Sequence, residues 1–139
     1  MQLTRTQDWP ERLAEQVAAA QAKPYVIGVH DCLRFSCQCI ESMTGVDLWP
    51  QFAGYTTRRE AVAVLAKHGP TLEAAAAKVI GVQAAPVLSA RRGDVVTFRD
   101  RYGEHLGVCV GTHVAVLGHT GLLFVRLDHD GLGACIKVG

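Results

Sequence analysis

Cys32 stands directly after Asp31, and Asp31 reads as the N-cap of a helix that runs to about Met43 and closes at Thr44-Gly45. That spacing predicts a sulfur at the positive end of a helix dipole. Free backbone N–H groups there favour a thiolate and can also hold an oxyanion. The ordinary thiol pKa is about 8.5, and such settings lower it by one to several units. A cysteine nucleophile needs a base, usually a histidine brought close by the fold. His105, at the expected start of a strand far along the chain, has the right chemistry. A second reading of Cys32 stays open. Cys32, Phe35, Cys39 and Met43 share one helical stripe, with Ser36 and Ile40 beside it, and a cysteine on such a stripe also serves as a small core hydrophobe.

The other cysteines, Cys37, Cys39, Cys109 and Cys135, bring the total to five, an odd number at irregular spacing that is no disulfide framework. His30, Cys32, Cys37 and Cys39 suggest zinc on paper. Residues 37 and 39 lie about 200° apart around a helix, however, so they cannot face one ion together. The expectation is no metal and no cofactor.

Around these residues the pattern predicts a helix over about Asp8 to Ala22, capped by Asp8 with Pro10 in its first turn. Tyr25 to Gly28 is a short extended piece before the Cys32 helix. Val46 to Tyr55 reads as a loop with aromatic anchors Trp49, Phe52 and Tyr55, which either cover the core or form a contact surface. Helices follow at Thr57 to His68, capped by Thr56 or Thr57, and at Thr71 to Ile80. After Arg91 the pattern turns to strands: Val95 to Phe98, His105 to Val110, Val114 to Leu117, Leu122 to Leu127 and Cys135 to Val138, with Arg99 to Glu104 as a polar connection. This is an α+β arrangement in one domain over residues 1–139, a helical half to about 90 and a β-meander from about 91.

Hydrophobic residues make up 49% of the 139 and charged residues 19%, enough apolar material to exclude wholesale disorder. Fourteen basic side chains against thirteen acidic ones leave a formal charge of +1, so no electrostatic case exists for nucleic acid or an anionic membrane as partner. No apolar run is long enough to span a bilayer. Met1-Gln2-Leu3-Thr4-Arg5 leads into charged sequence without an apolar signal core, which predicts synthesis in the cytoplasm without a signal peptide. Arg58-Arg59, Arg91-Arg92 and Arg99 with Arg101 read as solvated surface or partner contacts.

Three segments resemble the NlpC/P60 superfamily of papain-like cysteine peptidases. Pro24-Tyr25-Val26-Ile27-Gly28 with Asp31-Cys32 is similar to its nucleophile segment. Arg92-Gly93-Asp94-Val95-Val96-Thr97-Phe98 is similar to its G-D-L-V-x-F strand, and His105-Leu106-Gly107-Val108-Cys109-Val110-Gly111 to the strand that carries its base. The resemblance implies a papain-like fold, N-terminal helices on a C-terminal antiparallel sheet, with Cys32 as nucleophile and His105 as general base. It places Tyr25 beside the nucleophile and Asp31 with it, among the groups that position substrate or oxyanion. Tyr25 also fits a half-buried packing aromatic. The third catalytic residue belongs on the strand after the histidine strand, near the apolar Leu117. His119 is the choice for that orienter, although Gly118-His119-Thr120-Gly121 also suits a turn.

The chain departs from the superfamily at Leu33-Arg34, where Ser-Gly is usual, in the shortened Gly28-Val29-His30 loop, and in an inserted segment over about Val46 to Leu88. With Trp9-Pro10-Glu11-Arg12-Leu13 and His30-Asp31-Cys32, these departures resemble the short NlpC/P60-like proteins of siphovirus and prophage tail modules. In that group a Trp-containing strand usually ends the chain, and Ala134-Cys135-Ile136 stands in its place here. The resemblance implies a virion protein of the phage tail tip, partnered by other tail proteins, that cuts the peptide stem of peptidoglycan during entry. A catalytically inactive structural component of the tail tip is the other expectation.

Overall fold

The structure, a computed structural model, describes residues 3–139. Met1 and Gln2, which open the segment read as lacking a signal core, lie outside them. Four helices come first: α1 (Trp9–Gln21), α2 (Cys32–Thr44), α3 (Arg58–Ala66) and α4 (Leu72–Ile80). Six strands follow: β1 (Ala85–Pro86), β2 (Val95–Asp100), β3 (Gly103–Cys109), β4 (His113–Gly118), β5 (Gly121–Arg126) and β6 (Leu132–Ile136). They form one antiparallel sheet in the order β1-β6-β2-β3-β4-β5. The class is α+β. No helix among the described residues is long and apolar enough to cross a membrane.

The caps explain where the helices begin. Thr57 and Thr71 each accept a backbone N–H three residues on, from Glu60 and Ala74, and Asp31 does the same for Arg34. Asp8 does not cap α1. Its backbone is not extended, and its carboxylate instead accepts from Thr6 Oγ1 at 3.0 Å and Arg12 Nε at 2.8 Å. Gly45 and Gly81 end α2 and α4 in the left-handed conformation.

Period-two alternation sorts the strand residues onto two faces. Val95, Leu106, Val108, Ala115, Leu117 and Ile136 pack under the helices against Leu13, Phe35, Cys39, Ile40 and Met43. Val96, Phe98, Cys109, Val114, Val116 and Leu132 form a smaller cluster on the other face. Phe52 and Tyr55 are buried and Trp49 packs against them, so the inserted aromatics cover the core rather than form a surface patch.

Two strand boundaries differ from the sequence expectation, with physical causes. The polar connection Arg99 to Glu104 is part of a hairpin. The pair Asp100↔Gly103 extends β2 and β3, leaving Arg101 and Tyr102 as the turn. Gly103 at φ +117° permits that reversal, and Asp100 Oδ1 accepts the Tyr102 N–H at 2.8 Å. The last strand begins at Leu132. Thr97 Oγ1 accepts the Ala134 N–H at 3.0 Å where the β2–β6 register shifts.

Asp31 connects the helical elements. Its Oδ1 accepts the Arg34 N–H at 2.8 Å, and its Oδ2 accepts the Gly28 N–H at 2.8 Å and the Tyr55 hydroxyl at 2.6 Å. A hydrogen bond to a buried charge is worth about 1.5–3 kcal/mol. Tyr55→Phe should therefore lower the urea unfolding free energy by about that much, while Asp128→Asn, at an exposed ion pair, should change it by less than about 1 kcal/mol. Equal, small effects at both positions would show that the clamp carries no stability.

Candidate active site

The turn that delivers Cys32 is tight. Val26 and His30 exchange backbone hydrogen bonds, 2.9 Å from the Val26 N–H and 2.7 Å from the His30 N–H, with Gly28 at the tip. Gly28 has φ +78°, and a Cβ there would lie 2.2 Å from the Tyr55 carbonyl oxygen. Only glycine fits. The chain then enters α2 with Cys32 as its first residue.

Helix α2 meets the sheet where β3 and β4 part. These strands pair only at Val108↔Ala115 and Cys109↔Val114. Beyond that point Leu106 takes its backbone partners from α2. Its carbonyl accepts from Ser36 Oγ at 3.2 Å, and its N–H serves the Cys32 sulfur one helical turn earlier. The nucleophile candidate therefore lies against β3 at the residue after His105.

His105 is buried, with its ring beside Phe98 across the strand pair. Its Nε2 lies 2.9 Å from Asp100 Oδ1. The two residues are diagonal neighbours on one sheet face, because Phe98 pairs with His105 and Asp100 with Gly103. Burial works against the Asp100 carboxylate. The hydrogen bonds from His105 and the Tyr102 N–H, with the nearby His105 and His119, outweigh it and hold the carboxyl below its ordinary range. An ionised carboxylate only accepts, so Nε2 is the nitrogen that donates to Asp100 and Nδ1 is the one turned to other partners.

His119 occupies the β4–β5 turn, and its ring meets Tyr102 edge-on at 4.3 Å. It lies near Asp100, but the side chain that holds His105 is Asp100. Sequence reasoning missed Asp100 because it took residues 99–104 as a loop. The signal was Asp100-Arg101-Tyr102-Gly103, a two-residue hairpin turn closed by glycine. Asp31, expected among the substrate or oxyanion groups, spends its carboxylate on three protein donors and so positions the site from behind. Tyr25 is half-buried. Burial first, then Asp31 and Cys32, raise its phenol, while Arg58 opposes them, so it stays a neutral hydroxyl donor.

The helix start does not lower the Cys32 thiol. Desolvation pushes it up to about 11, and Asp31 adds to this. The Leu106 and Leu33 backbone groups and Arg58 recover only part. Burial outweighs the dipole because a thiolate loses far more solvation than a half-charge at a helix end returns. Cys37 is higher still, at about 12.

A family model matches residues 4–131, nearly the whole chain, and that family is described as a domain of unknown function, DUF6950. The chain belongs to this family. No curated protein matches it. In this DUF6950 chain the match spans all four helices and the strands that carry Asp100 and His105.

With its thiol at about 11, Cys32 is protonated near neutrality. Iodoacetamide labelling of Cys32 should rise about tenfold per pH unit from pH 7 to 10, with Cys37 lagging. A labelling rate that levels off below pH 8 would show a thiolate already formed and contradict the desolvated, protonated thiol.

Proposed function

We propose that the chain is a papain-like cysteine hydrolase of the NlpC/P60 type, acting at a phage tail tip on the peptide stem of peptidoglycan. The observation that carries this reading is the placement of Cys32. Its sulfur starts a buried helix and reaches the Leu106 N–H, one residue along β3 from His105, whose Nε2 is held by the Asp100 carboxylate. The resemblance of the three segments around Tyr25, Asp94 and His105 supports the same assignment, as does their order on a turn, β2 and β3.

In the reaction, His105 Nδ1 takes the Cys32 proton as the sulfur bonds to the substrate carbonyl carbon. Asp100 stabilises the imidazolium so formed. The oxyanion faces the Cys32 N–H, since Asp31 holds the Arg34 N–H, with the Tyr25 hydroxyl as a further donor. His105 returns the proton to the leaving amine, which departs and leaves a thioester on Cys32. Water, deprotonated by His105, attacks the thioester, releasing the carboxylic acid and restoring the thiol. The high thiol pKa means that the proton leaves during attack rather than before it.

A second reading, a structural tail-tip component that kept the fold without the activity, is favoured by one observation. Burial that raises the thiol to about 11 suits a packing residue. The Asp100–His105 pair has no use in that reading.

Crude bacterial cell walls provide the test. Wild type should release free amino groups, and Cys32→Ala and His105→Ala should each cut the rate by about 100-fold or more. Asp100→Ala should lose about tenfold or more in turnover, with Asp100→Asn, which keeps an acceptor for Nε2, restoring much of it. Equal release by wild type and Cys32→Ala, or none from walls of any crosslink type, would overturn the hydrolase reading.

A further inference from the structure

The sheet ends in two unlike edges. At one, β1 is only Ala85 and Pro86, and a proline in so short a strand blunts the edge against further pairing. At the other, β5 keeps register with β4 along its whole length and carries no proline, lysine, acidic residue or bulge. Leu123 and Phe124, at its centre, are 46% and 44% exposed. They point to opposite faces, Leu123 beside Val116 on the outer face and Phe124 beside Ala115 on the helix face. A cover over either face leaves the other bare, whereas an added strand shields both.

The hairpin fixes which backbone groups of β5 turn outward. Gly118 and Gly121 close a two-residue turn and so exchange hydrogen bonds, and at the far end the Leu127 N–H donates to the Thr112 carbonyl at 3.2 Å. Gly121, Leu123 and Val125 therefore spend their backbone groups on β4. The N–H and C=O groups of Leu122 and Phe124 point away from it, and among the described residues none of the four has a partner.

Leu122 and Phe124 lie symmetrically about Leu123. A two-fold axis through Leu123, perpendicular to the sheet, sets Leu122 opposite Phe124 of a second copy, and Phe124 opposite its Leu122. Each such pair exchanges both backbone hydrogen bonds, so all the outward groups are satisfied. Leu123 then meets its own copy and Gly121 meets Val125, so every pair on either face is apolar. An axis through Phe124 instead would oppose Leu122 and Arg126, whose carbonyl already accepts the His129 N–H at 3.0 Å. An in-register parallel pairing would bring the two Arg126 cations together. The antiparallel one keeps them at opposite ends, and a formal charge of +1 per chain adds little repulsion between copies.

We propose that β5 is the interface of a symmetric homodimer, pairing antiparallel with β5 of a second copy about Leu123 to make one continuous sheet. The interface does not depend on the chemistry proposed for Cys32.

Sedimentation equilibrium of the full chain tests this. Wild type at high micromolar concentration should sediment at twice the 15.0 kDa of one chain. Leu123→Lys and Leu123→Glu put like charges face to face on the axis, and each should weaken association by about 100-fold or more. Both should keep the wild-type circular dichroism, because the side chain is half exposed and its backbone bonds to β4 remain. Mixing the two variants should restore a dimer, since lysine then faces glutamate across the axis. Val82→Lys, at an exposed apolar position after α4, should stay dimeric. A monomeric wild type, a dimer that persists in Leu123→Lys, or no dimer on mixing the two Leu123 variants would overturn the assignment.

Discussion

The buried carboxylate of Asp31 fixes three parts of the molecule at once. It caps α2, closes the turn at Gly28 and anchors the inserted segment through the Tyr55 hydroxyl. Each donor comes from a different stretch of chain, so none can move without leaving a buried charge short of a partner, a cost of kcal/mol size. The consequences run outward. Cys32 is locked at the first position of α2, Gly28 is squeezed against the Tyr55 carbonyl, and Arg58 starts its helix just past the anchored tyrosine.

The sheet supplies the complementary constraint. A fully paired β3–β4 ladder would satisfy Leu106 internally and leave α2 nothing to bond. Because pairing stops at Val108 and Cys109, the Leu106 carbonyl and N–H become docking points for Ser36 and Cys32. The same closeness desolvates the sulfur. Raising the thiol to about 11 makes the free thiolate about 3 kcal/mol harder to form. In the proposed reaction the proton then passes to His105 as the sulfur attacks, which gives the Asp100–His105 pair its part in that chemistry.

Much of this scaffold was legible in the chain. The caps of α2, α3 and α4, the glycine stops and the change from helical to alternating pattern after Arg91 follow from local rules, and they fix the α+β class. Cys32 at a helix start and His105 on a strand were legible for the same reason. What escaped depends on contacts remote in sequence or on exact turn length. Tyr55 reaches Asp31 across 24 residues. Asp100 faces His105 only because the hairpin turn has two residues. Arg58 is exposed, as solvated surface would be, but nothing local shows that its side chain lies over Gly103. The direction of the Cys32 shift was misjudged because the dipole is visible in a sequence and desolvation is not.

The covalent intermediate is the most direct evidence for or against the account. Protein mixed with soluble cell-wall peptides, quenched in acid within its turnover time and digested for mass mapping, should carry the acyl half of the substrate on the peptide containing Cys32. The adduct should disappear on hydroxylamine treatment, as a thioester does. Substrate cleavage with no adduct on Cys32, or with an adduct on Cys37, Cys39, Cys109 or Cys135 instead, would contradict the assignment of Cys32 as the nucleophile.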